Sequence, residues 1–239
     1  MKKPRIITII TIIALLIIGV YVAGEVDYFS TKKIVNEYDS PVVKIDKIGV
    51  EEKINNESIS KGVYHEPKSF APTKGETILF GHRTLQGSPF LRLNELEPGD
   101  NIIIEWPGIG EVNYTVNNSK IVPASYLMNS SKDIQKIYLI TCDPIGSTEN
   151  RLIVECDFSS QGELNDTTIE SNPQQYTSLI ILVIFSILGL AFAYFYPKDN
   201  RIYILITVLI IICILIYLYF FPVPSELIYS KINWLNGNI

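Results

Sequence analysis

The chain has 239 residues, 47% of them hydrophobic, with 25 Asp and Glu against 20 Lys and Arg for a net charge of −5. Its apolar residues are too unevenly placed for one ordinary globular domain: Ile6–Ala23, Leu179–Tyr196 and Ile202–Phe221 are nearly continuous runs, each about the ~17–25 residues that cross a bilayer. Between the first two, residues 24–177 hold 23 Asp and Glu against 14 Lys and Arg, which argues against a nucleic-acid partner.

Lys2, Lys3 and Arg5 precede the first run. A signal peptide shares that basic start, but the run is longer than a usual signal core, and Tyr21 spoils a small-x-small cleavage pattern ending at Ala23. Residues 1–24 therefore read as a retained transmembrane anchor, and 25–40, polar with scattered apolar residues, as a stalk. Residues 41–54 are β-branched and punctuated by Gly49, predicting a strand or bent hairpin. A turn at 55–58 leads to Ile59–Pro67, read as a short helical turn carrying Tyr64 and His65, and a loop at 72–75 leads to Thr77–Gly81, a short buried strand that delivers His82.

Ser88-Pro89 opens one or two helical turns on Phe90, Leu93 and Leu96, closed by Pro98-Gly99-Asp100. Asn101–Trp106 and Glu111–Val122 form a predicted hairpin in which Val112, Tyr114 and Val116 share a face. Pro123–Lys136 is irregular or helical. An apolar run then ends at Thr141-Cys142, Pro144 and Gly146 break it, and an alternating run on Leu152, Val154, Cys156 and Phe158 follows Arg151. Many short strands between Gly/Pro turns indicate a mainly β domain over 41–160, a barrel or sandwich. Residues 161–177 read as a polar linker, 178–221 as two transmembrane helices joined by a short hairpin, and 222–239 as a tail.

Lys198 and Arg201 lie in that hairpin, so with the N-terminal cations they predict a cytoplasmic hairpin and N-terminus, and an extracytoplasmic 24–177 and tail. The last two spans contain no Asp, Glu, Lys, Arg or His in their interiors, which favours anchoring over transport. Five Asn-x-Ser/Thr sequons, starting at Asn56, Asn113, Asn117, Asn129 and Asn165, all fall in the exported segment, where glycosylation can occur. No Gly-rich phosphate loop and no Cys/His set at metal spacing is present, so no cofactor and no metal are expected.

Cys142 ends one strand and Arg151 opens the next, setting a thiol and a guanidinium side by side at one rim. A nucleophilic thiol needs a base, and an acyl-transfer intermediate needs a positive group at its oxyanion. A cysteine is also commonly a buried core residue, and position alone leaves both readings open for Cys142, whereas Cys156 sits on the alternating face of its strand. If the two strands pair about 143–150, Cys142 faces Arg151 and lies on the order of 15–17 Å from Cys156, too far for a disulfide. Cys213 falls inside the third span. His82 and His65 are the only histidines, and His82 is the one at a strand end.

These segments resemble the sortase family of cysteine transpeptidases. Tyr138-Leu139-Ile140-Thr141-Cys142 matches the family's Cys box, Gly81-His82 its Gly-His pair, and Arg151 the arginine that opens its last strand. Val43–Val50 is similar to its first strand and Phe90–Asp100 to its short helix and turn, so the likeness covers roughly 40–160. It implies a sortase-type β-barrel with short helices, with Cys142 as nucleophile, His82 as acid and base, and Arg151 at the oxyanion. Arg83 rivals Arg151, and Arg83, Thr141 and His65 are the candidates for substrate binding. The implied partners are exported proteins with a C-terminal sorting motif and an amine acceptor in the cell envelope or on a pilin-like subunit, together with the membrane. An extracytoplasmic thiol hydrolase and a non-catalytic envelope-binding module are the alternatives. The short Cys142–Arg151 loop, Asp143 after the nucleophile and the paired C-terminal spans depart from the common pattern, leaving motif and acceptor open.

Overall fold

The structure, a computed structural model, describes residues 4–34, 40–84, 87–164 and 176–223. It divides into a helical unit drawn from both ends of the chain and a β unit between them.

The β unit is a closed barrel of β1 (Val42–Ile45), β2 (Val50–Asn55), β3 (Val63–His65), β4 (Thr77–Phe80), β5 (Asn101–Trp106), β6 (Gly110–Pro123), β7 (Lys136–Asp143) and β8 (Asn150–Gly162). Around the barrel they run β1-β2-β3-β4-β7-β8-β6-β5. The pairs β2–β3 and β4–β7 are parallel and the others antiparallel. Alternate residues of each strand face inward, as a two-residue side-chain period requires. Val43, Leu79, Ile104, Tyr114, Leu139 and Val154 are all fully buried in that interior.

The wall made by β4, β7 and β8 is apolar on its outer side as well, where Ile78, Tyr138, Ile140 and Ile153 form a second cluster with Phe80, Val122 and Met128. Residues 137–141 are consequently buried without a break, which is why this stretch is a continuous apolar run and not an alternating one.

Three local expectations need correction. Only Ile59–Lys61 is helical in the segment 59–67, a 3₁₀ turn whose Ser58 hydroxyl accepts from the Ser60 amide at 3.1 Å. Tyr64 and His65 lie in β3, extended by pairing with Phe80 and Leu79, a partner no local pattern reveals. The helix read over 88–96 shrinks to a 3₁₀ turn at Leu93–Glu95, since Leu96 already has extended backbone.

In the helical unit, α1 (Ile6–Ile34), α2 (Thr177–Phe195) and α3 (Arg201–Phe220) are each long and apolar enough to cross a bilayer. The residues read as a stalk begin as helix: α1 continues unbroken through Glu25 and Asp27 to Ile34. Its Asp27 carboxylate accepts from the Val223 amide at 2.8 Å, so a charge expected in a solvated stalk is used within the unit. The approach of α2 to α3 is close, because a Cβ on Gly189 would sit 2.9 Å from a Val208 methyl. Residues 35–39 of the stalk, the linker from 165 to 175 and the tail from 224 onward lie outside the described residues.

Candidate active site

Strands β4 and β7 are parallel neighbours in which Phe80 faces Ile140, and the ladder is extended by the Gly81 amide donating to the Ile140 carbonyl at 3.1 Å. His82 and Cys142 each follow two residues later, past the same end of the two parallel strands. On the other side of β7, Cys142 is in register with Arg151 of β8, as the short connecting loop predicts. Leu79, Leu139 and Leu152 point into the core while Ile78, Phe80, Ile140 and Ile153 belong to the outer cluster. Two-residue alternation therefore puts Cys142 and Arg151 on the outer face.

His82 is half-buried, and burial pushes its pKa down to about 4. Among the described residues its ring makes no hydrogen bond. At neutral pH it is an uncharged imidazole, free to accept a proton. Arg151 donates through Nη1 to the carbonyls of Thr148 at 2.9 Å and Asn150 at 3.0 Å, which fixes the stem of the fork and leaves the guanidinium further donors. Cys142 is a free, half-buried thiol. Cys156, also free, is fully buried opposite Ile137, and burial, aided by Asp157 and Glu155, raises its pKa strongly. It is a core residue.

The three residues read as substrate contacts are occupied otherwise. Thr141 faces the barrel and is 2% exposed, and its hydroxyl donates to the Gly81 carbonyl at 2.8 Å. His65 shares the inward face of its strand: its ring lies edge-on to Trp106 at 5.3 Å, with Nδ1 3.1 Å from Asn56 Oδ1 and Nε2 3.1 Å from Ser69 Oγ. Burial lowers its pKa as well. Arg83 is 5% exposed and committed to protein acceptors, among them Asp143 Oδ1 at 2.6 Å. Gly81, the residue before His82, lies under the Phe90 ring, where a Cβ would come within 2.5 Å of ring carbon.

Beside the rim lies a groove of about 560 Å³ that sequence reasoning did not identify. Ile78, Phe80, Ile140, Ile153 and Val122 line it, with Arg151 at its wall and Tyr126, Leu127 and Met128 from the β6–β7 connection. Lys68 and Glu66 add charge. The connection is tied down by Glu76, whose carboxylate accepts from the Ser131 amide at 2.6 Å and the Tyr138 hydroxyl at 2.7 Å. The continuous apolar run in β7 was its one sequence signal; its walls come from segments some 60 residues apart. No group of His, Cys, Asp and Glu among the described residues is arranged to hold a metal ion.

A sequence profile of the sortase domain matches residues 35–159. No curated protein matches the chain. Among solved structures, sortase C-1 from Actinomyces oris is 25% identical, over 51% of this chain and 72% of that one, with a TM-score of 0.46. Sortase C1 of Streptococcus agalactiae is 25% identical over 52% and 69%, with a TM-score of 0.47. A lid mutant of sortase A from Corynebacterium diphtheriae is 22% identical over 52% and 71%, with a TM-score of 0.46.

Proposed function

The chain belongs to the sortase family of cysteine transpeptidases, and from that premise we propose that Cys142 is its nucleophile, His82 its acid and base, and Arg151 the donor to its oxyanion. One observation carries this assignment: Cys142 is in register with Arg151 on one side of β7, and on the other side β7 pairs with β4, which ends two residues before His82. The substrate is an exported protein bearing a C-terminal sorting motif, whose apolar residues before the scissile bond lie in the groove floored by Ile78, Phe80, Ile140 and Ile153.

In the first half-reaction neutral His82 takes the Cys142 proton as the sulfur attacks the scissile carbonyl. Arg151 donates to the oxyanion, where a fixed positive group lowers the barrier most. When the tetrahedral intermediate collapses, the imidazolium of His82 passes the same proton to the departing amine and a thioester remains on Cys142. In the second half, His82 removes a proton from an incoming amine, the amide forms, and the thiolate leaves and is reprotonated. His82 holds a proton only weakly, so it enters the reaction as the neutral imidazole. The acceptor is an amine of the cell envelope or of a pilin-like subunit.

The catalytic domain, residues 41–160, is extracytoplasmic in this reading, and the N-terminus and the α2–α3 hairpin are cytoplasmic. Two contacts within the helical unit support their common side: Arg5 pairs with Asp199 at 3.0 Å, and the Tyr196 hydroxyl donates to Thr8 Oγ1 at 3.2 Å. The basic residues there fit the side that retains positive charge.

The test is mass spectrometry of the full chain in detergent, incubated with a pool of sorting-motif peptides, with and without an amine. A thioester on Cys142, converted to amide only when amine is added, is the expected result. Release to water at the same rate in both arms makes the enzyme a hydrolase, and a wild type that behaves as Cys142→Ala overturns the assignment.

A further inference from the structure

We propose that Arg83 is a positioning residue of this site, its guanidinium bridging the chain that bears His82 to the strand end that bears Cys142; this rests on the transpeptidase reading above. An arginine only 5% exposed must be compensated, because an unpaired buried charge is very costly. The compensation is concentrated at the nucleophile. Nη1 donates to Asp143 Oδ1 at 2.6 Å and to the Cys142 carbonyl at 3.1 Å, while Nη2 donates to Asn94 Oδ1 at 2.7 Å and Nε to the Leu91 carbonyl at 3.4 Å.

The placement of these bonds gives them their meaning. The backbone ladder between β4 and β7 reaches only to the Gly81 amide on the Ile140 carbonyl, one residue short of His82 and two short of Cys142. Beyond it, side chains take over: Thr141 bonds Gly81, and Arg83 bonds Cys142 and Asp143. The residues on both sides of His82 are thereby tied to the residues on both sides of Cys142. Arg83 also reaches the turn at 91–94, fixing the segment after His82 from a second direction.

The bridge has an electrostatic consequence. Asp143 follows the nucleophile, and a bare carboxylate there opposes the negative charge that forms first on sulfur and then on the oxyanion. Paired with Arg83 at 2.6 Å, it is neutralised locally, so Arg151 acts on the oxyanion without an adjacent competing anion.

The variants Arg83→Met, Arg83→Lys, Asp143→Asn and Arg83→Met/Asp143→Asn, in full-length protein in detergent, separate these effects. Arg83→Met is expected to slow thioester formation by about 10²-fold, the cost of a small misplacement of reacting groups, with KM for the peptide changing by much less. Its rate of Cys142 alkylation by iodoacetamide, followed against pH, is expected to move to higher pH. Adding Asp143→Asn returns that profile toward wild type, while the slow turnover persists because the bridge is still missing. Arg83→Lys keeps the charge without the fork and leaves the profile near wild type.

An Arg83→Met enzyme with wild-type turnover and profile overturns the proposal. So does a profile that Asp143→Asn fails to restore. If Arg83→Met does not fold, Asp143→Asn alone decides: it leaves Arg83 uncompensated beside the nucleophile, so its profile must move to lower pH, and an unmoved profile refutes the idea. Alkylation needs no turnover, so failure of the transpeptidase reading, seen as equal behaviour of wild type and Cys142→Ala with peptide, is distinguishable from failure of this one.

Discussion

The Thr141 hydroxyl donates to the Gly81 carbonyl at 2.8 Å, so the residue before the nucleophile is fastened to the residue before the base. Both partners are buried, and replacing the hydroxyl with a methyl strands a buried acceptor. Thr141→Val is expected to cost about 1–3 kcal/mol in urea unfolding of the purified chain, whereas Thr141→Ser, which keeps the donor, recovers most of it. Equal stability of the two variants would remove the bond from the account.

Among the described residues the Arg151 guanidinium hydrogen-bonds to the carbonyls of Thr148 and Asn150, neither of them in a buried residue, so its loss leaves no deeply buried group unpaired. Arg151→Ala is expected to lower kcat by about 10²–10³-fold, the usual effect of deleting an oxyanion donor, with melting temperature nearly unchanged. A KM defect at constant kcat would instead assign Arg151 to uniform substrate binding.

The apolar floor of the groove carries a separable prediction. Phe80 and Ile153 present side chains to the groove without holding a reacting group. Phe80→Ala is expected to raise KM for an apolar sorting peptide by about tenfold, the worth of part of a buried aromatic contact, while kcat falls less. Loss of kcat alone would place the scissile bond over Phe80 and not beyond it.

Glu76 fixes the connection that walls this groove by accepting from the Ser131 amide and the Tyr138 hydroxyl. Glu76→Ala leaves both donors without their acceptor, at a cost of about 1–3 kcal/mol for each that stays dry. The peptide KM is expected to rise with the loosened wall. Glu76→Gln keeps an acceptor for one donor and should fall between; a Glu76→Ala enzyme with unaltered KM would show that the wall is held by other contacts.

What could be read from residues in order was the part of the fold written in local periodicity. Val112, Tyr114 and Val116 alternate and point inward, and the short loop after Asp143 forces Cys142 opposite Arg151. The failures came where distant chain decides local structure. His65 follows a capped turn and reads as part of it, yet β4 draws it into a strand whose inward face meets Trp106. Arg83 reads as a rival to Arg151 because two of its acceptors, the Cys142 carbonyl and the Asp143 carboxylate, lie 59 and 60 residues away. The polar residues after Ala23 suggest a solvated stalk, although α1 continues through them and Asp27 is wholly buried. The groove is of the same kind, with a floor from β4, β7 and β8 and walls from two connections.

The lowered proton affinity of His82 sets a pH dependence of both stability and activity. Burial moves its pKa from the ordinary 6.5 to about 4, so between those values the unfolded chain binds more protons than the folded one, and stability falls as the pH falls through that window. A shift of this size corresponds to on the order of 3 kcal/mol. His65 is shifted in the same direction and contributes its own share, so His82→Asn should flatten the slope of unfolding free energy between pH 6.5 and 4 without abolishing it. A slope unchanged in His82→Asn would mean that His82 is more solvated than its surroundings suggest. Activity adds a second reading of the same group. Because the imidazole must be neutral to take the Cys142 proton, the acid limb of single-turnover thioester formation should fall near pH 4 and not near 6.5, and a limb at the ordinary histidine value would mean that burial does not lower the proton affinity of His82.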